Sequence, residues 1–315
     1  METHSENTSL RSGHVVIAGR PNVGKSSLMN AMIGVRVSIA SPLPQTTRNR
    51  IIGIVTQPDK GQLVFVDTPG IHVPSDTLNQ RMVEAAWNAT DAVEAALLVV
   101  EWDSLVKRPE DPLWGLDRVI YEGLVAREIP IVLAINKVDR LHKKEKLIPV
   151  LRTLSERYAF AAVVPVSAHK RTNTRPLQEE LFKLLPEGPL LYDEEAVTGR
   201  GERFTAAELV REQVFLQTRD EVPYGTNVTV EKLSEDLTTD RLLISAVIHV
   251  EREPQKGIII GKGGERLREI GKAARRELQR FFNRSVHLEL FVRVQPKWTE
   301  SERALKEFGY GEEDI

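Results

Sequence analysis

Short runs of apolar residues alternate with longer amphipathic segments over residues 14–185. The runs are "HVVIAG", "RIIGIV", "QLVFVD", "AALLVVE", "IPIVLAINK" and "AVVPVSA". Several are apolar at consecutive positions, as are the strands of a parallel sheet whose two faces are both covered by helices. The pattern therefore predicts an α/β domain with a mostly parallel sheet and helices on both faces.

The pattern changes after residue 185, where "LPEGPLLYDEEAVTGRGE" combines Pro, Gly and charge as linkers do. A helical segment, two β-runs, the glycine-rich stretch "GIIIGKGGERLREIG", a third β-run and a short amphipathic helix follow. The glycine loop is predicted to lie between the second β-run, "RLLISAVIHVE", and an amphipathic helix from Glu265 to about Phe281, which gives an α-β-β-α-β order and an α+β domain. The predicted organisation is a flexible N-terminus (1–12), a first domain (13–185), a linker (186–202) and a second domain (203–315) that includes the closing helix and an acidic tail.

Composition excludes several classes of protein. The 315 residues are 41% hydrophobic and 28% charged, which are globular values and not those of disordered or collagen-like chains. There is no cysteine, so disulfides, thiolate zinc sites and thiol catalysis are excluded. The N-terminus lacks the apolar core of a signal peptide, and no apolar run approaches the ~20 residues that span a bilayer. These features predict a cytoplasmic protein.

"GRPNVGKSS" matches the phosphate-binding pattern G-x-x-x-x-G-K-[ST] between an apolar run and a helical segment. Glycines in such a loop let backbone N–H groups surround phosphate oxygens, and the helix N-terminus adds its positive dipole end. Lys25 supplies a charge to the outer phosphates, and the Ser26 hydroxyl can ligate Mg²⁺. The residues predicted to contact the nucleotide here are Gly19, Asn22, Val23, Gly24, Lys25, Ser26 and Ser27.

Three further motifs follow in order, each at the carboxyl end of a β-run, where such sheets bind ligands. In "VDTPG", Asp67 is placed to bind Mg²⁺ and the Gly70 N–H to sense a γ-phosphate. In "NKVD", Asp139 can accept two N–H bonds from guanine, which adenine does not offer. Asn136 and Lys137 belong to the same motif.

The last motif is Ser167-Ala168, which can offer a backbone N–H to the guanine O6 atom. Together with the preceding motifs it predicts a GTP/GDP site. "SPLPQTTRNRIIGI" at 41–54 then resembles the switch region of the Era-type GTPases, in which a Thr-Thr-Arg precedes the second strand. The resemblance implies that Thr46 or Thr47 closes over Mg²⁺ in the GTP state, and we favour Thr47. The chain differs from many family members at Arg171, where a Gly is frequent.

The resemblance implies GTP hydrolysis with Mg²⁺ held by Ser26, Thr47 and Asp67, and Lys25, Thr47, Gly70 and Asn22 are the candidate catalytic residues. The position after Gly70 often carries a water-orienting Gln in GTPases, but here it is Ile71, so intrinsic hydrolysis is expected to be slow. His72 is a weaker candidate for that role. Asn22 has two open roles: it holds K⁺, as in some Era-like relatives, or it stabilises the loop.

The second glycine stretch lacks the [ST] and the spacing of a phosphate-binding loop. It contains G-x-x-G, the signature of KH domains, in which the loop clamps the backbone of about four nucleotides of single-stranded RNA. Residues 256–284 carry nine Lys/Arg against three Glu, a local balance of +6 in a chain of net charge −2. The residues predicted to bind RNA are Gly261, Lys262, Gly263, Gly264, Arg266, Arg268, Lys272, Arg275 and Arg276.

The α-β-β-α-β order resembles a type II KH domain, which the Era-type GTPases join to their GTPase domain, and the resemblance covers about residues 14–310. It implies binding of 16S rRNA near its 3′ end and a role in 16S rRNA processing and assembly of the 30S ribosomal subunit, by a monomer that does not bind DNA. Two alternatives stay open: an RNA-binding sensor of GTP and GDP with negligible turnover, and a membrane-associated cell-cycle GTPase at the inner face of the cell membrane.

Overall fold

The structure is a computed structural model that describes residues 10–41, 46–71, 77–199, 201–236 and 238–310. It divides into two compact units. The first comprises Met1–Ser38, Arg50–Val73 and Val83–Gly199, and the second comprises Ile39–Asn49, Pro74–Met82 and Arg200–Ile315. Two segments from the N-terminal half of the chain thus group with the C-terminal half. The predicted domain boundaries are not tested by this division and stay predictions.

A six-stranded sheet forms the centre of the first unit, in the order β2-β3-β1-β4-β5-β6. Only the β2–β3 pair is antiparallel, and the other neighbouring strands are parallel. The strands are β1 (Arg11–Ala18), β2 (Ile51–Gln57), β3 (Gly61–Asp67), β4 (Ala95–Glu101), β5 (Ile131–Asn136) and β6 (Ala162–Pro165). The predicted α/β class is confirmed.

Consecutive residues are buried along the central strands, and every residue of β5 is buried. Such strands have both faces covered, which explains their unbroken apolar sequence. On one face, alternate strand residues pack with Ile120, Leu124, Val150 and Leu154. The helices of this unit are α1 (Lys25–Ile33), α2 (Thr77–Asn88), whose first residues group with the second unit, α3 (Trp102–Val106), α4 (Leu116–Val125), α5 (Leu147–Arg157) and α6 (Thr174–Phe182).

The second unit contains a three-stranded sheet in the order β7-β8-β9, with β7 antiparallel and β9 parallel to β8. Its elements are α7 (Glu202–Gln217), β7 (Asn227–Asp236), β8 (Arg241–Val250), α8 (Glu253–Ile260), α9 (Glu265–Phe282), β9 (Ser285–Val294) and α10 (Glu302–Glu307). Ile270, Ala274 and Leu278 form the buried stripe of α9 against this sheet. The predicted α+β class is confirmed.

The β-run predicted before the glycine loop is strand β8, but the loop does not directly follow it, because residues 253–260 form helix α8. Pro254 occupies the first turn, where its missing N–H costs nothing. The Gln255 Oε1 atom accepts hydrogen bonds from the backbone N–H groups of Glu251 and Arg252 at 2.9 and 3.1 Å, which caps the helix. The glycine loop therefore connects two helices.

Arg48 anchors the Ile39–Asn49 segment inside the second unit. Its side chain is 3% exposed and donates to the carbonyl oxygens of Pro223, Tyr224 and Thr226 at 3.1, 2.6 and 2.8 Å. The guanidinium lies 5.7 Å from the centre of the Trp298 ring. These carbonyls would lose their donor if this arginine were removed, so the segment is part of the folded core of this unit.

The start of α2 packs into the same unit. Leu78 and Met82 form an apolar cluster with Trp298, Leu305 and Tyr310, all of them buried. The Trp298 Nε1 atom donates to the Gly225 carbonyl oxygen at 2.9 Å, so its one polar atom is satisfied. Residues from the N-terminal half and from the C-terminal end of the chain thus share one small core.

Candidate nucleotide site and glycine loop

The first glycine loop joins β1 to α1, with Gly24 immediately before the helix. Gly24 has a φ of 97°, and a Cβ atom on it would lie 2.4 Å from the Asn136 Nδ2 atom. The same amide nitrogen donates to the Val23 carbonyl oxygen at 2.9 Å. The "NKVD" segment therefore holds the second half of the phosphate loop directly, and only glycine fits between them.

Lys25 is buried in the loop that it is predicted to serve. Its Nζ atom donates to the carbonyl oxygens of Gly19 and Arg20 at 3.0 and 3.1 Å. Burial lowers the pKa of Lys25 to about 8, and the charge of Asp67 opposes that shift. A buried ammonium group that donates to carbonyl oxygens gains interaction energy when an anion binds beside it.

Oxygen atoms suited to Mg²⁺ converge on Asp67 at the end of β3. The Ser26 and Ser38 hydroxyls each donate to its Oδ2 atom, at 2.6 and 2.8 Å, and Asp67 is fully buried. Hydroxyl and carboxylate oxygens are the hard ligands that Mg²⁺ takes together with phosphates and water. Ser38 was not predicted from the sequence, because no motif marks it. Ser27 is the third residue of α1 and is half-buried.

Asn136 and Lys137 connect the end of β5 to the phosphate loop. Asn136 is buried, and its Oδ1 atom accepts hydrogen bonds from the N–H groups of Lys137 and Ala168 at 2.8 and 3.1 Å. The Lys137 Nζ atom donates to the Asn22 carbonyl oxygen at 2.8 Å and to the Glu101 carboxylate at 2.9 Å. One amide and one ammonium thus tie three of the predicted motifs together.

Asp139 is exposed and ionised, as recognition of guanine requires. The Ser167 hydroxyl donates to its Oδ1 atom at 2.6 Å, and this hydrogen bond lowers the pKa of Asp139. The second carboxylate oxygen is free of this bond and can accept from a base. The Ala168 N–H, predicted to bind the guanine O6 atom, is engaged with Asn136, so that contact requires the N–H to be shared.

The structure tests the loop geometry at Arg171. Its φ is 52°, a left-handed conformation that glycine adopts more readily. Ser167 and Thr172 nevertheless pair through two backbone hydrogen bonds of 3.2 and 3.0 Å. The turn after the Ser-Ala motif is therefore closed with an arginine at the position where the family often has glycine.

The other residues that the sequence analysis discussed for hydrolysis have different surroundings. Asn22 is exposed with a φ of 65°, and Ile71 lies in the apolar core. Thr46 and Thr47 belong to the segment that groups with the second unit, where Arg211 donates to the Thr46 carbonyl oxygen at 2.6 Å. The role of Thr47 in closing over Mg²⁺ stays a prediction. His72 lies outside the described residues.

The second glycine loop, Gly261–Gly264, lies between α8 and α9 and is open to one side. Gly263 and Gly264 have φ values of 59° and 76°, and a Cβ atom on either would meet nothing within 4 Å. Arg266 donates to the Ile258 carbonyl oxygen and Arg268 to that of Gly263, both at 2.7 Å. Two of the predicted RNA-binding arginines therefore also brace the loop.

The basic residues of α9 are not equivalent. Lys272 pairs with Glu269, and Arg280, which was not predicted to bind RNA, pairs with Glu277. Within the described ranges, Lys262, Arg275 and Arg276 form no ion pair. Unpaired cations contribute most to phosphate binding, because no protein partner has to be displaced.

A groove of about 440 Å³ runs beside this loop between α9 and the edge strand β9. Its walls combine aliphatic side chains with cations: Gly264, Leu267, Arg268, Gly271, Lys272, Arg275, Leu288 and Leu290. An apolar floor with a basic rim suits nucleotide bases and a phosphate backbone respectively.

Family models match both parts of the chain that contain the glycine loops. A family model described as "50S ribosome-binding GTPase" matches residues 14–137, and a KH domain model matches residues 221–299. The chain is 48% identical over 310 residues to the GTPase Era of Stenotrophomonas maltophilia, covering 97% of this chain and 99% of that one. The chain belongs to the GTPase Era family. The resemblance inferred from the motifs is confirmed.

Other similar proteins are also members of the GTPase Era family. Identity to the GTPase Era of Xanthomonas oryzae is 49% over 304 residues, which is 95% of this chain and 97% of that one. Two solved Era structures are each 36% identical with a TM-score of 0.88 and 96% coverage of this chain. One is a single-site variant of Aquifex aeolicus Era bound to GDP and aluminium fluoride, covered over 100% of its length. The other, covered over 99%, is Era with MgGDPNP and nucleotides 1506–1542 of 16S ribosomal RNA.

No helix in the described ranges is long and apolar enough to cross a membrane.

Proposed function

We propose that this GTPase binds GTP and GDP with Mg²⁺, hydrolyses GTP, and grips 16S rRNA near its 3′ end with the Gly261–Gly264 loop. In the cytoplasm it acts in 16S rRNA processing and assembly of the 30S subunit. The observation that carries the nucleotide half is the bonding of Asn136 to Val23 and Ala168, which joins the phosphate loop to the base-reading motif. Three of the four motifs are thereby held as one site, and the hydrogen bond from Ser26 to Asp67 joins the fourth to it.

The RNA half of the proposal is supported by the open face of the second loop and by the groove beside it. Gly263 leaves space for a backbone to approach, and Arg275 and Lys262 offer charges that no described acidic residue neutralises. A related Era structure contains a 16S rRNA fragment, which suits such a groove. Affinity from these contacts is expected to fall steeply with salt.

The reading of guanine is tested by Asp139→Asn. The amide donates where the carboxylate accepts, so GTP affinity should fall and xanthosine triphosphate affinity should rise, each by about a hundredfold. Titration of both nucleotides against the parent and the variant measures this exchange. Asp193→Asn serves as a matched control, because it removes a carboxylate outside the four motifs. Unchanged preference in Asp139→Asn would show that this carboxylate does not read the base.

Filter binding distinguishes RNA from lipid as the ligand of the basic residues in the Gly261–Gly264 loop and α9. We expect a single-stranded RNA with the 3′-end sequence of 16S rRNA to bind tightly, while vesicles with anionic headgroups bind weakly. A peripheral membrane role, the alternative for this face, predicts the reverse. Comparison of RNA affinity in GTP and GDP, with turnover measured in parallel, separates a hydrolysing enzyme from a nucleotide sensor.

We also propose that Asn22 holds K⁺ during hydrolysis. Asn22 is exposed, and its backbone is fixed because its carbonyl oxygen accepts from Lys137. A cation at this position would supply the charge that an arginine finger supplies elsewhere. Replacing K⁺ by Na⁺ should lower the rate of the parent, and Asn22→Ala should remove the difference. Equal rates of the parent in both salts would leave Asn22 a structural role.

A further inference from the structure

The first half of the phosphate loop is held by a residue outside all four motifs. The Arg20 Nε atom donates to the Asp117 Oδ1 atom at 2.8 Å. The Asp117 side chain is 1% exposed, whereas that of Arg20 is 31% exposed. A buried carboxylate therefore holds a partly exposed arginine of the loop in one place.

Asp117 is fixed by its own surroundings. It is the second residue of α4, where the helix dipole favours a negative charge. The Ser104 hydroxyl lies 3.4 Å from its Oδ2 atom. Burial raises the pKa of Asp117, and the hydrogen bond and charge of Arg20 oppose that shift. The arginine is thus the group that makes an ionised carboxylate tolerable at this position.

The backbone held by this pair lies against the residue predicted to sense the γ-phosphate. A Cβ atom on Gly70 would be 2.8 Å from the Pro21 nitrogen, so the chain at Pro21 touches Gly70. The Arg20 carbonyl oxygen accepts from Lys25 at 3.1 Å. Asp117 therefore holds residue 20 of the loop, and the next residue along the chain borders Gly70.

We infer that Asp117 is a positioning residue for GTP, acting through Arg20 on the part of the phosphate loop that borders Gly70. The inference rests on the proposed function. If the pair is lost, residues 20 and 21 can shift, and the contact with Gly70 shifts with them. GDP has no γ-phosphate, so its affinity depends less on this contact. Asp117 thereby contributes to the preference for the triphosphate.

The experiment uses the full chain with Asp117→Asn, Arg20→Gln and the double variant. Each single variant should lower GTP affinity and kcat about tenfold while changing GDP affinity less than about threefold, because small displacements cost more where the reacting phosphate is held. The double variant should match the singles, since both changes break the same link. Arg20→Lys should recover part of the loss.

Asp111→Asn is the matched control, because it breaks another aspartate–arginine pair, with Arg118, next to the same helix. It should leave both affinities unchanged. If the role of Asp117 is purely structural, the variants should lose GTP affinity and GDP affinity equally, and their melting temperature should fall in parallel. That result would overturn the inference, as would additive losses in the double variant.

The neutral double variant also guards against misfolding, since it leaves no buried charge without a partner. If the parent binds no GTP, the proposed function fails. If the parent binds and hydrolyses GTP and all the variants do so equally well, only the inference about Asp117 fails.

Discussion

The two glycine loops of this chain use the same residue for opposite reasons. In the first, Gly24 is needed because the protein itself comes close: an added Cβ would lie 2.4 Å from Asn136. In the second, Gly263 faces open space, with nothing within 4 Å of the position of a Cβ. Both have positive φ, so the backbone alone does not distinguish them.

This difference indicates which kind of ligand each loop can bind. The first loop is closed in by other motifs, and Lys25 is buried among its carbonyls, so it encloses a small ligand. In the second loop, hydrogen bonds from Arg266 and Arg268 hold the backbone, and the space next to Gly263 is open. This loop can therefore bind a polymer that extends past it. The contact distances at Gly24 and Gly263 thus distinguish a crowded position in the first loop from an open one in the second.

The largest expected effect is that of Gly24→Ala. The new methyl group would displace Asn136 and strain a φ of 97°, so GTP affinity should fall at least about a hundredfold. Gly34→Ala is the matched control, since it has a φ of 92° at the other end of α1 but open space around it. Calorimetric titration with GTP measures both. Equal losses would attribute the effect to backbone strain and remove the distinction between the loops.

Gly263→Asp should abolish detectable binding of the 16S 3′-end RNA, because it places bulk and negative charge where the phosphate backbone approaches. Its melting temperature should match that of Gly309→Asp, a control with a φ of 78° and open space. GTP affinity should be unchanged in both. RNA binding that survives in Gly263→Asp would contradict the assignment of this loop.

The buried Lys25 predicts a pH dependence that the second loop lacks. Its pKa is about 8 in the protein without nucleotide, and phosphate oxygens beside it raise that pKa in the complex. Binding then takes up a proton above pH 8, so GTP affinity should fall up to tenfold per pH unit between pH 8 and 9. Lys25→Gln should bind weakly with a flat profile. RNA affinity over the same range should stay constant, and a parallel fall would point to a general loss of structure.

The smallest effect is expected for Arg280→Gln. Arg280 is exposed and already paired with Glu277, so its loss should change RNA affinity by no more than a few fold. The salt dependence should become shallower by at most about 0.7, the share of one phosphate contact with a single strand. Arg275→Gln, which removes a cation of the groove, should do more. A reversed order would move the RNA path away from the groove.

Both loops could be predicted from the sequence because their chemistry lies in short contiguous motifs. Helix α8 was not predicted, and its start is fixed by Pro254 and by the cap that Gln255 forms. Ser38 and Asp117 could not be found, since each acts through a contact far away in sequence. Long-range contacts leave no local pattern.

The contacts of Arg48 also could not be predicted from the sequence. Arg48 is the arginine of the Thr-Thr-Arg motif that resembles the Era-type switch region, and that motif predicts only a switch segment. Its burial under three carbonyl oxygens depends on the turn at residues 223–226, which the sequence does not connect to it.

The position of Arg48, Leu78 and Met82 determines which fragments of the protein would keep a complete core. A C-terminal fragment beginning at residue 201 would contain the whole RNA-binding loop, yet it would lack the side chains that fill its own core. Three carbonyl oxygens would lose their donor and Trp298 would lose part of its apolar cover. The second unit is therefore not a module that a single cut would release with its core complete. A gene fusion that carried residues 201–315 alone would leave out Arg48, Leu78 and Met82 and would transfer an incomplete core.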